Sequence, residues 1–287
     1  METDYQLLDI YAPITDADIK EAQRYVTRRE VAAVNLSSII DELLKEAATT
    51  ITEICYRYGV DPKRFTLTSK YNEKMFDEVV DVLDDLEYEI MGWLEDYATR
   101  CAEDEKSKNI LLLWVLLLGR KNRNLEQTLQ ARLRMFLGDM EAAIAAMVQA
   151  KVSLTDAVTK IKSGLHAVYM IPEVRAAFSR SVMMQARNIR TKGVKKGNVG
   201  NSNSEANNII RFGEITVQMA WMHYQLTEYQ EQGAAGYYVF RGSNYPCENL
   251  CDLHTGFHPI TDTESYPPQH GHCMCYAVPV FMSNHKK

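Results

Sequence analysis

The side chains best suited to chemistry are concentrated in the last forty or so residues of the chain. Cys247 and Cys251 are separated by three residues, and His270, Cys273 and Cys275 follow within the next 24. Thiolates and imidazoles spaced two to four residues apart can bind one ion from a single turn, and two such half-sites can close a tetrahedron. The spacing therefore predicts a zinc site, with these five side chains as candidates for four ligand positions.

The same residues admit other interpretations. His254, His258 and His272 are further candidate ligands, so the spacing leaves the ligand set open. Two disulfides would also use the C-terminal cysteines, but no charged and then apolar leader is seen, so we expect a reducing compartment in which disulfides rarely persist. We therefore favour zinc over disulfides or free thiols. Cys55 and Cys101 each lie alone in helical sequence, where we expect ordinary buried or half-buried residues.

Composition describes an ordinary folded protein whose charge is unevenly distributed. The 287 residues are 46% hydrophobic and 24% charged, which is enough for one large core or two smaller ones, and we expect two domains. The net charge is −6, with acidic residues concentrated over 73–105. By contrast, residues 174–204 contain basic but no acidic side chains. This pattern predicts a basic segment within an acidic protein.

Apolar residues recur at helical spacing through the first two thirds of the chain. One stripe over residues 76–97 leaves several aspartates on the opposite face, where we expect solvated charges rather than an acid/base site. These aspartates are Asp77, Asp81, Asp84 and Asp85. The helices predicted in this part of the chain are Thr15 to near Arg29, Ser38 to Tyr58, 76–97, 109–118, 125–152, 155–168 and 172–190.

The longest apolar run, Ile110–Leu118, is flanked by lysine and arginine. It is too short to cross a bilayer, which takes roughly 20 apolar residues. We expect a helix that is buried on all sides within a bundle, and we expect no membrane association.

The last third of the chain changes character. Residues 191–204 are rich in glycine, asparagine and serine without apolar spacing, which predicts a flexible basic linker. Helix is predicted again over 205–232. The segments Tyr237–Arg241 and Tyr276–Phe281 are rich in strand-forming residues, and we expect them to pair, with Pro279 on an edge strand.

These elements predict a mainly α fold. A helical domain over 1–190 precedes the linker at 191–204, and a small α+β domain follows over 205–287. The cysteine-rich loop lies between the two predicted strands, so a bound zinc ion would stabilise a region with little core of its own.

The order of features in the last eighty residues is similar to that of a known family. A helix with Arg211 and Glu214 is followed by a strand, then by the first cysteine pair, a glycine, a Pro-Pro-x-His-x2-Cys-x-Cys motif and a final strand. This order resembles the Mu F-like minor head protein family of tailed bacteriophages, also called the phage head morphogenesis family. The chain departs from the family pattern in the three-residue spacing of the first cysteine pair, in Gly271 for proline and in Met274 for arginine.

The resemblance implies a structural protein of a phage or prophage particle. Such a protein is present in few copies in the head, acts near the portal in head morphogenesis, and takes part in DNA packaging or ejection. The implied partners are portal and capsid or scaffold proteins, phage DNA, and further copies of the chain. The implied location is the virion, preceded by the host cytoplasm during assembly, and the implied role of zinc is structural.

Parts of the sequence also fit two other functions. A zinc-stabilised nucleic-acid-binding module would use the basic residues of 191–204. A toxin-associated enzyme domain would use Arg211, Glu214, His254 and His258, but we expect Glu214 on a polar helix face, ion-paired with Arg211. The sequence has no Gly-rich phosphate loop, nucleophile elbow or helical His-Glu-x-x-His, so we expect no catalytic activity.

Overall fold

The computed structural model describes residues 10–61, 67, 70–118, 123–177, 204–242, 251–269 and 273–283. Helices dominate these ranges, and three short strands lie near the C-terminus, which confirms the mainly α fold class. The helices are α1 Asp16–Tyr58, α2 Glu73–Thr99, α3 Glu105–Leu117, α4 Leu125–Gln149, α5 Leu154–Gly164, α6 Pro172–Ala177 and α7 Glu205–Glu231. The strands are β1 Gly236–Phe240, β2 Gly256–Pro259 and β3 Tyr276–Val280, and short 3-10 turns occupy Lys70–Asn72, Leu165–Met170 and Asp252–His254.

Helix α1 is continuous where the sequence predicted two helices. No glycine or proline interrupts residues 29–38, and Ala33 and Leu36 are buried there. Their spacing continues one apolar stripe through the segment, so nothing ends the helix. The prediction for α2 is confirmed for most of the stripe: five of its residues are buried and the four aspartates on the other face are exposed. Trp93 of the same stripe is 38% exposed, and its remaining residues are half-buried.

The expectation for the apolar run in α3 was wrong. Leu111 and Val115 are buried, but Ile110, Leu113 and Leu117 are 55%, 64% and 79% exposed. The two buried residues lie four positions apart, so they share one face of the helix, and only this face is covered by other parts of the protein. A helix can be apolar on every side without having neighbours on every side. Among the described residues, no helix is both long enough and apolar enough to span a bilayer.

The chain forms two compact units that do not follow chain order. One unit contains Met1–Val34, Tyr97–Trp114 and Ile215–Lys287, and the other contains Asn35–Asp96 and Val115–Glu214. The predicted boundaries at 190 and 204 divide the chain differently. They assign the start of α1 to a helical domain over 1–190, whereas the structure groups it with the C-terminal residues. The predicted linker lies outside the described residues except for Ser204, which is buried.

The second unit, Asn35–Asp96 with Val115–Glu214, is helical in its described part. Asp139 is buried on α4 and accepts a 2.7 Å hydrogen bond from the backbone N–H of Glu205, which satisfies a free donor at the start of α7. Arg132 donates to the buried Glu205 carboxylate at 2.9 Å. Glu214 is also buried, contrary to our expectation of a polar face, and accepts a 2.6 Å hydrogen bond from Ser37.

The first unit contains an antiparallel sheet in the order β2, β1, β3. Tyr238 pairs with Val278 across β1 and β3, so the predicted pairing is confirmed, and β3 is an edge strand as Pro279 required. Strand β2 was not predicted, because four residues ending in proline carry little strand signal. Tyr238 pairs with Phe257 in it.

Each face of the sheet is covered by a different helix. Phe240 and Val278 pack with Ala22 of α1 on one face. Tyr237, Val239 and Ala277 belong to a cluster with Leu226 and Tyr229 of α7, and this cluster also contains the three described C-terminal cysteines. Because side chains alternate across a strand, one face is covered by the start of the chain and the other by α7.

Gly236 allows the close pairing of β1 with β2. A Cβ atom at this position would lie 2.3 Å from the backbone oxygen of His258. We expect Gly236→Ala to destabilise the first unit by about 1–3 kcal/mol, because backbone must move to relieve the overlap. The matched control is Gly92→Ala in α2, where a Cβ meets nothing within 4 Å and helix propensity predicts a gain of up to about 1 kcal/mol. Urea unfolding of both variants measures the difference, and equal effects would contradict this account.

Candidate metal centre

Three cysteines meet at the end of the sheet that leads into β3. The Sγ atoms of Cys251, Cys273 and Cys275 all lie within 4.8 Å of one another. Cys251 and Cys273 are separated by 3.7 Å between sulfurs, and the five cysteines in the described part of the chain are all free thiols. Two sulfurs bound to one tetrahedral zinc at about 2.3 Å each lie about 3.8 Å apart. The cluster therefore has the spacing of a site that can hold a metal ion.

Local structure explains how residues 22 positions apart in sequence come together. Cys251 immediately precedes the 3-10 turn Asp252–His254. An ion pair of 2.7 Å between Arg241 and Asp252 holds this turn against the end of β1. Cys273 and Cys275 lie just before β3. The backbone at Gly242 approaches Met274 so closely that a Cβ would lie 2.6 Å from the Met274 carbonyl. The residues after β1 thus run beside those that enter β3.

The structure brings together three of the five predicted ligands. Cys251, Cys273 and Cys275 form the cluster, whereas Cys247 and His270 lie outside the described residues. His272, a further candidate, also lies outside them. Cys55 is buried and Cys101 half-buried, which confirms the prediction for these two residues.

His254 and His258 take part in a hydrogen-bonded turn and not in the described cluster. The Nδ1 atom of His254 lies 3.1 Å from Ser265 Oγ. His258 contacts protein groups through both ring nitrogens, at 3.1 Å from Asp262 Oδ2 and 3.0 Å from the His254 carbonyl. Asp262 also accepts hydrogen bonds from the backbone of residues 264 and 265, each at 3.1 Å. This network organises the loop between β2 and β3, a role that spacing alone did not indicate.

Helix α7 holds the same loop from its buried side. Tyr266 is 1% exposed and donates to Gln225 at 2.8 Å. Tyr229 donates to the carbonyl of Ala277 in β3 at 3.0 Å. Both tyrosines lie in the cluster that contains the cysteines, so the thiols sit at the edge of a packed aromatic core.

The three thiols differ in acidity because they are hydrogen-bonded to one another. The side chain of Cys275 donates to Cys273, which lowers the pKa of Cys273 despite its burial, with further help from backbone N–H groups and from Arg29. The same hydrogen bond, together with burial, raises the pKa of Cys275. Burial raises the pKa of Cys251 to about 11. Of the three thiols, Cys273 is therefore the one that deprotonates most readily.

A residue from the opposite end of the chain reaches this cluster. Arg29 of α1 is 1% exposed, and its Nη2 atom donates to the Cys273 carbonyl at 2.6 Å. Burial lowers the pKa of Arg29, while the Cys273 thiolate raises it. The sequence analysis missed this residue. Its signal was an arginine on an apolar stripe, between Val26 and Ala33 at helical spacing.

Comparison of the chain with models of known protein families, with curated proteins and with solved structures finds no match. The chemistry of the site therefore rests on its own residues. Three thiol ligands suit zinc and other thiophilic metals, and they suit magnesium or calcium poorly, since those ions prefer oxygen. The described cluster can supply three of the four ligands of a tetrahedral site.

The metal-free protein should contain about one thiolate per chain at pH 7, located at Cys273. Thiolates absorb ultraviolet light more strongly than thiols, and lowering the pH should remove this extra absorbance as Cys273 becomes protonated. An ordinary thiol has a pKa of about 8.5 and is mostly protonated at pH 7, so Cys273→Ser should lose the signal. Cys101→Ser is the control, because burial raises the pKa of Cys101 to about 12. Equal absorbance in the two variants would show that the cluster does not favour one thiolate.

Proposed function

We propose that this chain is a minor head protein of a phage or prophage, acting in head morphogenesis near the portal, with a structural zinc ion in its C-terminal region. The observation that supports the proposal most directly is the buried cluster of Cys251, Cys273 and Cys275. These are three of the cysteines whose order along the chain resembles the Mu F-like motif. Chain order and spatial clustering therefore point to the same residues.

Zinc is the metal that the donors favour. Thiolates bind zinc with tetrahedral geometry, and ligands on two short segments of chain are typical of structural zinc sites. The three clustered cysteines are at most 4% exposed. Sulfurs so well covered offer a substrate little access, whereas a catalytic zinc needs an open position for water. A structural role follows, in keeping with a protein that acts through its surfaces.

Such an ion would supply stability where the fold has little of its own. The strands contain only four or five residues each, and isolated sheets of this size are marginally stable in water. A metal ion bound by Cys251 and by Cys273 and Cys275 would link the segment that precedes β2 to the segment that precedes β3. These are the two outer strands of the sheet. Metal binding then contributes directly to folding free energy.

Purified full-length protein should contain one zinc ion per chain by elemental analysis. Cys273→Ala should abolish stoichiometric zinc binding, because it removes the central thiolate of the described cluster. Cys55→Ala is the matched control, since Cys55 is a buried cysteine far from this site in sequence and absent from the cluster. Chelation of the unmodified protein should lower its thermal midpoint. Purified protein that contains no zinc under reducing conditions, or a thermal midpoint that chelation leaves unchanged, would refute the proposal of a structural zinc ion.

The assembly role is tested in particles. A lysogen that carries the gene should release DNA-filled heads in which quantitative immunoblotting detects this chain at a few copies per head. Deletion of the gene should lower the yield of infectious particles by at least tenfold, and expression of the chain from a plasmid should restore it. Particles that lack the chain, or a deletion with normal yield, would reject the head-protein proposal while leaving the zinc site untouched.

A further inference from the structure

Arg29 is a buried cation that makes no ion pair with a carboxylate within the described part of the chain, although the neighbouring Glu30 favours its charge. Its side chain is 1% exposed, and its Nη2 atom donates a hydrogen bond of 2.6 Å to the Cys273 carbonyl. The Nε atom is buried without a hydrogen-bond partner in that same part of the chain. A buried guanidinium is costly unless an anion compensates its charge. Its immediate surroundings must therefore provide negative charge from another source.

The cysteine cluster is that source. Three thiolates around one divalent ion carry a net charge of −1 if the fourth ligand is neutral, and this charge is as buried as the arginine. A guanidinium beside it would bring the local sum to zero. The hydrogen bond to the Cys273 carbonyl holds the guanidinium at the backbone of one ligand, where its charge favours the thiolate of Cys273.

We propose that Arg29 is the charge-compensating and positioning residue of the metal centre, so that metal binding couples the start of α1 to the loop that precedes β3. The inference rests on the proposed metal site and extends it to a residue 244 positions from Cys273. Residues that surround metal ligands commonly change metal affinity 10- to 100-fold. Here the residue also joins two distant parts of the chain within one compact unit.

Arginine is suited to this position for a geometric reason. Its planar fork can donate to the Cys273 carbonyl through one nitrogen while the delocalised charge faces the cluster. Lysine carries the same charge as a compact, strongly hydrated ammonium that loses more on burial. Arg29→Lys should therefore retain part of the effect, and Arg29→Met, which is similar in length and uncharged, should lose it.

The test compares metal affinities of full-length variants. Cobalt titration, followed by the sulfur-to-cobalt charge-transfer band, and zinc competition against a chromophoric chelator should show binding at least tenfold weaker for Arg29→Met than for the unmodified chain. Arg29→Lys should lie between them. Arg24→Met is the matched control, because Arg24 is exposed on the same helix and loses the same charge. Its affinity should stay within twofold of the unmodified value.

A second readout separates coupling from a merely structural role. If Arg29 only stabilises the fold, Arg29→Met lowers the thermal midpoint equally with and without metal, and the rise produced by metal stays unchanged. If Arg29 compensates the metal centre, the variant reduces that rise. Equal rises, or an unchanged affinity in Arg29→Met, would overturn the proposal.

The unmodified chain provides a test that does not depend on the variant folding. Removal of zinc should speed hydrogen exchange in residues 22–33 of α1 as well as in 273–280, and should leave α4 protected. Protection of 22–33 that is independent of zinc would overturn the coupling. A chain that binds neither cobalt nor zinc would instead reject the underlying metal site, and the role of Arg29 with it.

Discussion

The first compact unit depends on covering both faces of a very small sheet. Three strands of four or five residues cannot bury enough surface to persist alone. The chain meets this requirement with two helices distant in sequence, α1 against Phe240 and Val278 and α7 against Tyr237 and Val239. Tyr25 of α1 donates to the Trp221 carbonyl of α7 at 2.6 Å, which joins the two covering helices directly.

The cysteine cluster is a continuation of this covered sheet. Cys275 and Ala277 alternate with Tyr276 along the approach to β3, so the inward positions of the strand pass from apolar side chains to sulfur. Cys251 and Cys273 complete the same buried group. The sulfurs consequently lie in a surrounding of low dielectric constant. Burying an unpaired charge there costs much free energy, and opposite charges attract each other more strongly there than in water. This setting gives a metal ion and Arg29 their proposed importance.

Sequence reasoning succeeded where a pattern was local. The α2 stripe, the pairing of β1 with β3 and the edge position of Pro279 all follow from spacing and residue type. The three clustered cysteines follow from a motif. The misses have a common physical cause, because each depends on a partner remote in the chain. Leu113 is exposed because no described element covers that face, and Arg29 is buried on an apolar stripe where it donates to the carbonyl of Cys273, 244 residues away.

The same reasoning explains why the domain boundaries drawn along the sequence differ from the compact units. A boundary near residue 190 assumes that helical sequence packs with its neighbours in sequence. Instead, Ala22 packs against the C-terminal sheet, and the backbone N–H of Ala12 donates to Phe281 just after β3 at 2.8 Å. These contacts need residues from both ends of the chain. The first unit can therefore close only when its last strand is present, and a metal ion bound beside that strand would secure the step that completes it.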